Sequence, residues 1–138
     1  MSDQFAAALR AWADKVNGNL DGLARQTCQE TAQRAVGATP VDTGFLRGNW
    51  QPSIGEMKVV EPAPAAGGDI ALVCAGIKAG DVFYMTNNTA YAKRLEYGFE
   101  GKDSLGREYH QAGRYFVRDT VAQWPSIVEQ IARELGAQ

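Results

Sequence analysis

Apolar side chains recur every three or four positions along the first part of this chain: Phe5, Leu9, Trp12, Val16, Leu20 and Leu23, with Thr27 continuing the phase. Steps of four and three are the period of one helix face. Ser2 or Asp3 can cap its start, Gly37 suits the residue just past its end, and Pro40 forbids continuation. A helix from Asp3 to Ala35 is about 50 Å long at ~1.5 Å per residue. That is longer than one 138-residue domain needs. Asn17-Gly18-Asn19 is a turn-forming triplet and Gly22 a second weak point. The apolar phase nevertheless runs through both, so one long helix is expected rather than two. Arg10/Asp14 and Asp21/Arg25 have the spacing of i,i+4 pairs on its solvated side.

Beyond Pro40 the pattern changes. Thr39 to Gly44 is a compact turn, in which Pro40 fixes φ, Asp42 or Thr43 can bond nearby N–H groups, and Gly44 tolerates positive φ. Leu46 to Ile54 places Trp50 and Ile54 on one parity and reads as a strand, with Met57-Lys58-Val59-Val60 as its expected partner. Pro62 to Gly68 reads as a linker. Ile70, Val73, Cys74 and Ile77 fit a helix capped by Asp69, a buried strand being the alternative. Asp81 to Thr86 is rich in β-formers, Asn87-Asn88 makes a turn, and Tyr91 to Tyr97 a short helix ended by Gly98. The glycine-rich stretch 99–113 reads as a mobile loop or a hairpin. Val117, Val121, Trp124, Val128, Ile131 and Leu135 then define a last amphipathic helix, which Pro125 either kinks or restarts.

The chain is therefore expected to be one α+β domain: a long N-terminal helix (about 3–36) and a C-terminal amphipathic helix (about 114–136) packed on a small, mostly antiparallel sheet within an α+β core (about 39–98).

Catalytic constellations are hard to assemble from these residues. The single histidine, His110, lies in the glycine-rich stretch with no nucleophile–base set beside it, and reads as a surface or interface residue. Asp103 and Glu108 as paired acids are a weaker reading than a solvated surface. Cys28 and Cys74 have no CxxC-type neighbours and read as reduced, partly buried thiols, and neither GxGxxG nor a P-loop occurs. The expectation is a non-enzyme without cofactor or metal. A net charge of −2 without a Lys/Arg cluster argues against specific DNA binding, which runs on phosphate neutralisation. No apolar run approaches the ~20 residues of a membrane span, and the first residues do not resemble a secretion signal, so synthesis in a cytoplasm is expected.

Three segments carry a family resemblance. They are Thr39-Pro40-Val41-Asp42-Thr43-Gly44-Phe45-Leu46-Arg47-Gly48-Asn49-Trp50; Phe83-Tyr84-Met85-Thr86-Asn87-Asn88 leading into Tyr91-Ala92-Lys93-Arg94-Leu95-Glu96-Tyr97-Gly98; and Gln111-Ala112-Gly113 followed by the terminal helix. Their order resembles the neck or tail-completion proteins of siphophages, in particular those of the lambda-like tail-completion type. The chain departs from that pattern by inserting Phe99 to His110 and by lacking a proline before Gly113. The resemblance implies a structural subunit of the virion, assembled in the host bacterial cytoplasm. It also implies a homo-oligomeric ring, hexameric by analogy with neighbouring tail rings, around the channel through which DNA passes. Head-closure or connector proteins and tail terminator or tube proteins are the implied partners. A tail terminator capping the tube is the alternative, and a small prophage enzyme or toxin a more distant one. The motif residues are expected to shape the fold, with direct partner contact as the other role. Arg47 and Glu96, charged groups among apolar neighbours, are expected to pair. Phe99, Leu105, Tyr109 and His110 are expected to order against a partner.

Overall fold

The computed structural model describes residues 2–102 and 104–136. Helix α1 (Ser2–Ala38) is continuous through Asn17-Gly18-Asn19, about 55 Å long. A 3-10 turn (Arg47–Asn49) leads into β1 (Trp50–Ile54). Helix α2 (Ile70–Cys74) follows, with the Asp69 side chain capping Leu72 N–H as the sequence suggests. Next come β2 (Phe83–Asn87), α3 (Ala92–Tyr97), β3 (Gly98–Lys102), β4 (Glu108–Ala112), α4 (Phe116–Ala122) and α5 (Trp124–Gly136). Helices and strands mix as an α+β fold, but the strands form two separate antiparallel pairs, β1–β2 and β3–β4.

The expected partner of β1 is corrected. Met57 to Val60 forms no strand, and β2 takes that edge in the register Trp50↔Asn87 through Ile54↔Phe83. The chain turns away at Gly55, whose N–H donates to the Val82 carbonyl at 2.9 Å, so the edge is filled before residues 57–60 can use it. Residues 63–68 are no free linker. Gly67 and Gly68 N–H groups donate to the Gly48 and Trp50 carbonyls (2.7 and 3.0 Å) along the other side of β1. Pro52, which has no N–H to give, is tolerated in so short a ladder.

The stretch 99–113 is a hairpin, with Phe99 opposite Gln111 and Glu100 opposite His110. Asp103 lies outside the described residues, so its proposed pairing with Glu108 is not addressed; Glu108 meets Lys102 Nζ at 3.6 Å.

The C-terminal periodicity restarts near Pro125, and the buried phase differs from the expected one. Phe116, Thr120, Ile127 and Ile131 are buried, while Val121 and Trp124 are exposed. The buried positions are spaced four, seven and four apart, so one buried stripe does run across the break at Gln123 between α4 and α5. It lies one position before the expected Val117, Val121 and Val128 and rejoins the expected series at Ile131.

α1 is the spine on which α2, α4 and α5 pack. Its packed length begins near residue 21. Asp21 Oδ1 accepts from Ala79 N–H (2.8 Å) and Arg25 Nε donates to the Ile77 carbonyl (2.6 Å), so these two hold the loop after α2 rather than each other. Farther on, Thr27, Ala32 and Ala35 are buried. Before residue 21 the helix has no body beneath it: Phe5 is 71% and Trp12 63% exposed.

Candidate functional site

The first motif closes the end of α1. Thr39 N–H donates to Ala35 and Val36 carbonyls, and its hydroxyl donates to Ala35 O at 2.7 Å. The same buried hydroxyl accepts Trp50 Nε1–H at 2.9 Å. Arg47 reaches back so that one guanidinium nitrogen donates to Gly37 O (3.0 Å) and Thr39 O (2.8 Å). A cation on the terminal carbonyls satisfies acceptors that a helix end leaves open and complements its dipole. Gly44 sits at φ +86°, and Thr43 Oγ1 accepts from Phe45 N–H, so the turn forms as its residue types suggest. Pro40 is half-buried and Asp42 exposed.

Asn87 clamps the second motif to the first. Its Nδ2 donates to Leu46 O at 2.8 Å, and its Oδ1 accepts from Thr89 N–H at 3.1 Å. Asn88 Nδ2 donates to Lys58 O at 3.3 Å. Tyr91 precedes α3 and its carbonyl accepts from Leu95 N–H; Tyr91 and Tyr97 are both exposed. Asn49, absent from the expected site, is fully buried: Nδ2 donates to Phe45 O and Oδ1 accepts Ala63 N–H. A buried polar side chain between Gly48 and Trp50 carries no apolar periodicity by which to find it.

The expected Arg47–Glu96 pair does not form. Glu96 turns instead to the start of α4, where its two carboxylate oxygens accept Val117 N–H at 2.8 Å and Arg118 N–H at 3.1 Å. Each charge is matched to a helix end of opposite sign, which removes the need for a partner side chain. Gly98 and Gly113 mark where the chain crosses itself beside this cap. A Cβ on Gly98 would meet Gln111 O at 2.6 Å, and one on Gly113 would meet Glu96 O at 2.5 Å.

Leu46 and Trp50 from the first motif and Phe116 from the terminal helix form one buried cluster, with Ala92 and Leu95 from the second motif packed against it. Phe99, on β3, lies beside Tyr109 across the hairpin, ring centroids 6.3 Å apart, with Arg94 over its face at 4.1 Å. Leu105 and His110 are exposed.

Beside the cluster opens an apolar groove of about 770 Å³. Ala32 and Ala35 of α1, Phe83 and Met85 of β2, Tyr97, and Val121 with Trp124 line it. Two thiols lie near this region. Burial raises that of Cys28; burial, and then the neighbouring Cys28, pushes that of Cys74 up to about 11. Among the described residues no group of His, Cys, Asp or Glu side chains is arranged to hold a metal ion, and no helix is long and apolar enough to cross a membrane. Comparison with family models, with curated proteins and with solved structures finds no match for this chain.

Proposed function

We propose that this chain is a structural subunit of a long-tailed bacteriophage, part of the neck or tail-completion assembly that joins head to tail around the DNA channel. One observation supports the reading most. Leu46 and Trp50 of the first segment and Phe116 of the helix that follows the third segment form one buried cluster, with Leu95 of the second segment packed against it, although the first segment is far from the others in sequence. Their residue types are therefore explained jointly, as the frame of one domain. In this reading the subunits form a ring, the partners are head-closure and tail proteins, and DNA passes without base-specific contact.

Deletion of the gene tests the proposal. The expected lysate contains filled heads and complete tails that do not join, and purified protein restores infectivity. Abnormally long tails favour the tail terminator instead, and normal infectious particles overturn both readings.

A further inference from the structure

Two apolar surfaces of this molecule are open, and they cannot meet within one chain. The first is the leading part of α1, where Phe5, Leu9, Trp12 and Leu20 are 71, 52, 63 and 47% exposed. Phe5 and Trp12 alone present on the order of 300 Å², given the ~150–250 Å² that an aromatic side chain carries. With the two leucines the strip reaches the several hundred Å² at which an exposed apolar patch marks an interaction surface. The second is the groove beside the core, rimmed by Met57, Val82, Tyr97, Val121 and Trp124, all exposed.

Geometry keeps the leading part of α1 out of the groove of its own chain. The groove wall begins on α1 itself, at Cys28. Residues 3–20 belong to the same uninterrupted helix and run away from that wall, reaching about 37 Å from Cys28 at Asp3. A continuous helix cannot fold back over its own flank, so the leading part of α1 can enter only the groove of another molecule.

We infer that the leading part of α1 of one copy docks in the groove of a second copy of this chain. An amphipathic helix laid by its apolar face into a hydrophobic groove is a recurrent mode of recognition, with anchors at i, i+4 and i+7. Phe5, Leu9 and Trp12 have that spacing. Charge does not oppose the contact. Asp3 and Asp14 balance Arg10 and Lys15 on the helix, Asp81 and Lys93 balance on the groove, and the Glu96 carboxylate is already engaged by the start of α4. Donor and acceptor are different patches, so the contact is heterologous: every copy gives one helix and receives one, and the series closes as a ring or grows as a filament. This deepens the ring reading above by naming its contact surfaces, but it is tested on purified chain without phage, so either can fail while the other stands.

A pair of variants provides the test. Phe5→Glu with Trp12→Glu spoils the helix and leaves the groove; Tyr97→Glu with Val121→Glu spoils the groove and leaves the helix. All four side chains are exposed, and circular dichroism with thermal melting checks that folding is unchanged; the milder Tyr97→Ser with Val121→Ser serves where it is not. Light scattering on the eluting species should give the wild type as multiples of the 14.9 kDa chain and each double variant as a monomer. Mixing the two variants should yield a 1:1 dimer that grows no further, because one intact helix meets one intact groove. A monomeric wild type overturns the inference. So does a groove variant that still self-associates, which signals symmetric pairing of α1 with α1, or a mixture that stays monomeric.

Discussion

Glu96 on α3 caps helix α4, its carboxylate accepting the Val117 backbone N–H at 2.8 Å and the next N–H, of Arg118, at 3.1 Å. A helix start leaves such donors unpaired, and here they are answered from another element rather than from the residue before the helix. That residue, Tyr115, is in a left-handed conformation at φ +48° and makes no side-chain cap. Glu96 is buried, so its replacement uncovers two donors that water reaches poorly. Glu96→Ala is expected to lower unfolding free energy by about 1–3 kcal/mol. Glu96→Gln, which keeps one acceptor oxygen but no charge, should cost less. Urea denaturation of the two variants checks the order; equal losses would mean that the charge and the second acceptor oxygen carry the whole effect, since glutamine keeps the packing and one acceptor.

The chain crossing beside that cap depends on two missing side chains. Gly98 combines φ +89° with a Cβ position 2.6 Å from Gln111 O, and Gly113 would place its Cβ 2.5 Å from Glu96 O. In both cases the obstacle is backbone, which cannot swing aside. Gly98→Ala and Gly113→Ala should each destabilise by roughly 1–3 kcal/mol or more, the range for strained backbone. Gly18→Ala is the contrast. It lies inside α1 with open space around its Cα, so alanine should stabilise by about 0.5–1 kcal/mol through helix propensity alone. Thermal melts of the three proteins should therefore move in opposite directions.

What could be read from the sequence follows from how local each cause is. The continuity of α1, the Asp69 cap and the stop at Gly98 rest on residues within a turn of one another, and all three are present. The partner of β1 is a non-local choice. Met57 to Val60 has strand-forming residues, but residue type carries no information about which segment arrives at the edge, and β2 does. Arg47 and Glu96 were recognisable as charges in need of partners. Their partners are helix termini, and backbone groups leave no mark in the amino-acid string. The terminal stripe differs from the expected one for another reason. More than one four-and-three series fits an amphipathic helix; the buried one runs through Phe116, Thr120, Ile127 and Ile131, one position before the counted Val117, Val121 and Val128, which leaves Val121 and Trp124 exposed. No motif announced the groove, because its walls come from α1, β2, α3 and α4 together.

The buried thiol of Cys74 makes stability depend on alkaline pH. Burial, and then the neighbouring Cys28, lifts it from the ordinary 9.0 to about 11 in the folded chain. The folded state therefore favours the neutral thiol. Its contribution to stability is complete below 9.0 and is lost as pH rises through about 11. The wild-type urea midpoint should fall across that window more steeply than that of Cys74→Ala, which lacks the titrating group. Thiol-modifying reagents should leave Cys74 of the native protein untouched at about pH 8, since the thiolate is the reactive form. Rapid native labelling at Cys74 would contradict this.

Thr27 offers a change that should strengthen the molecule. Thr27 is 2% exposed on the packed part of α1, and among the described residues its hydroxyl oxygen has no hydrogen-bond partner. The Thr31 hydroxyl does donate to the Thr27 carbonyl, but that bond uses the backbone and leaves the Thr27 hydroxyl unanswered. A buried hydroxyl without a partner carries a desolvation cost of about 1–3 kcal/mol. Valine has nearly the same shape and the same branching at Cβ, so it removes that cost without opening a cavity. Thr27→Val is expected to raise unfolding free energy by about 1 kcal/mol, read as a higher urea midpoint with an unchanged m-value. Thr27→Ser separates the two causes. It keeps the unpaired hydroxyl and loses a buried methyl, and should destabilise by about 1 kcal/mol. A destabilised Thr27→Val would mean that the hydroxyl is satisfied in solution, by an ordered water or a shifted neighbour.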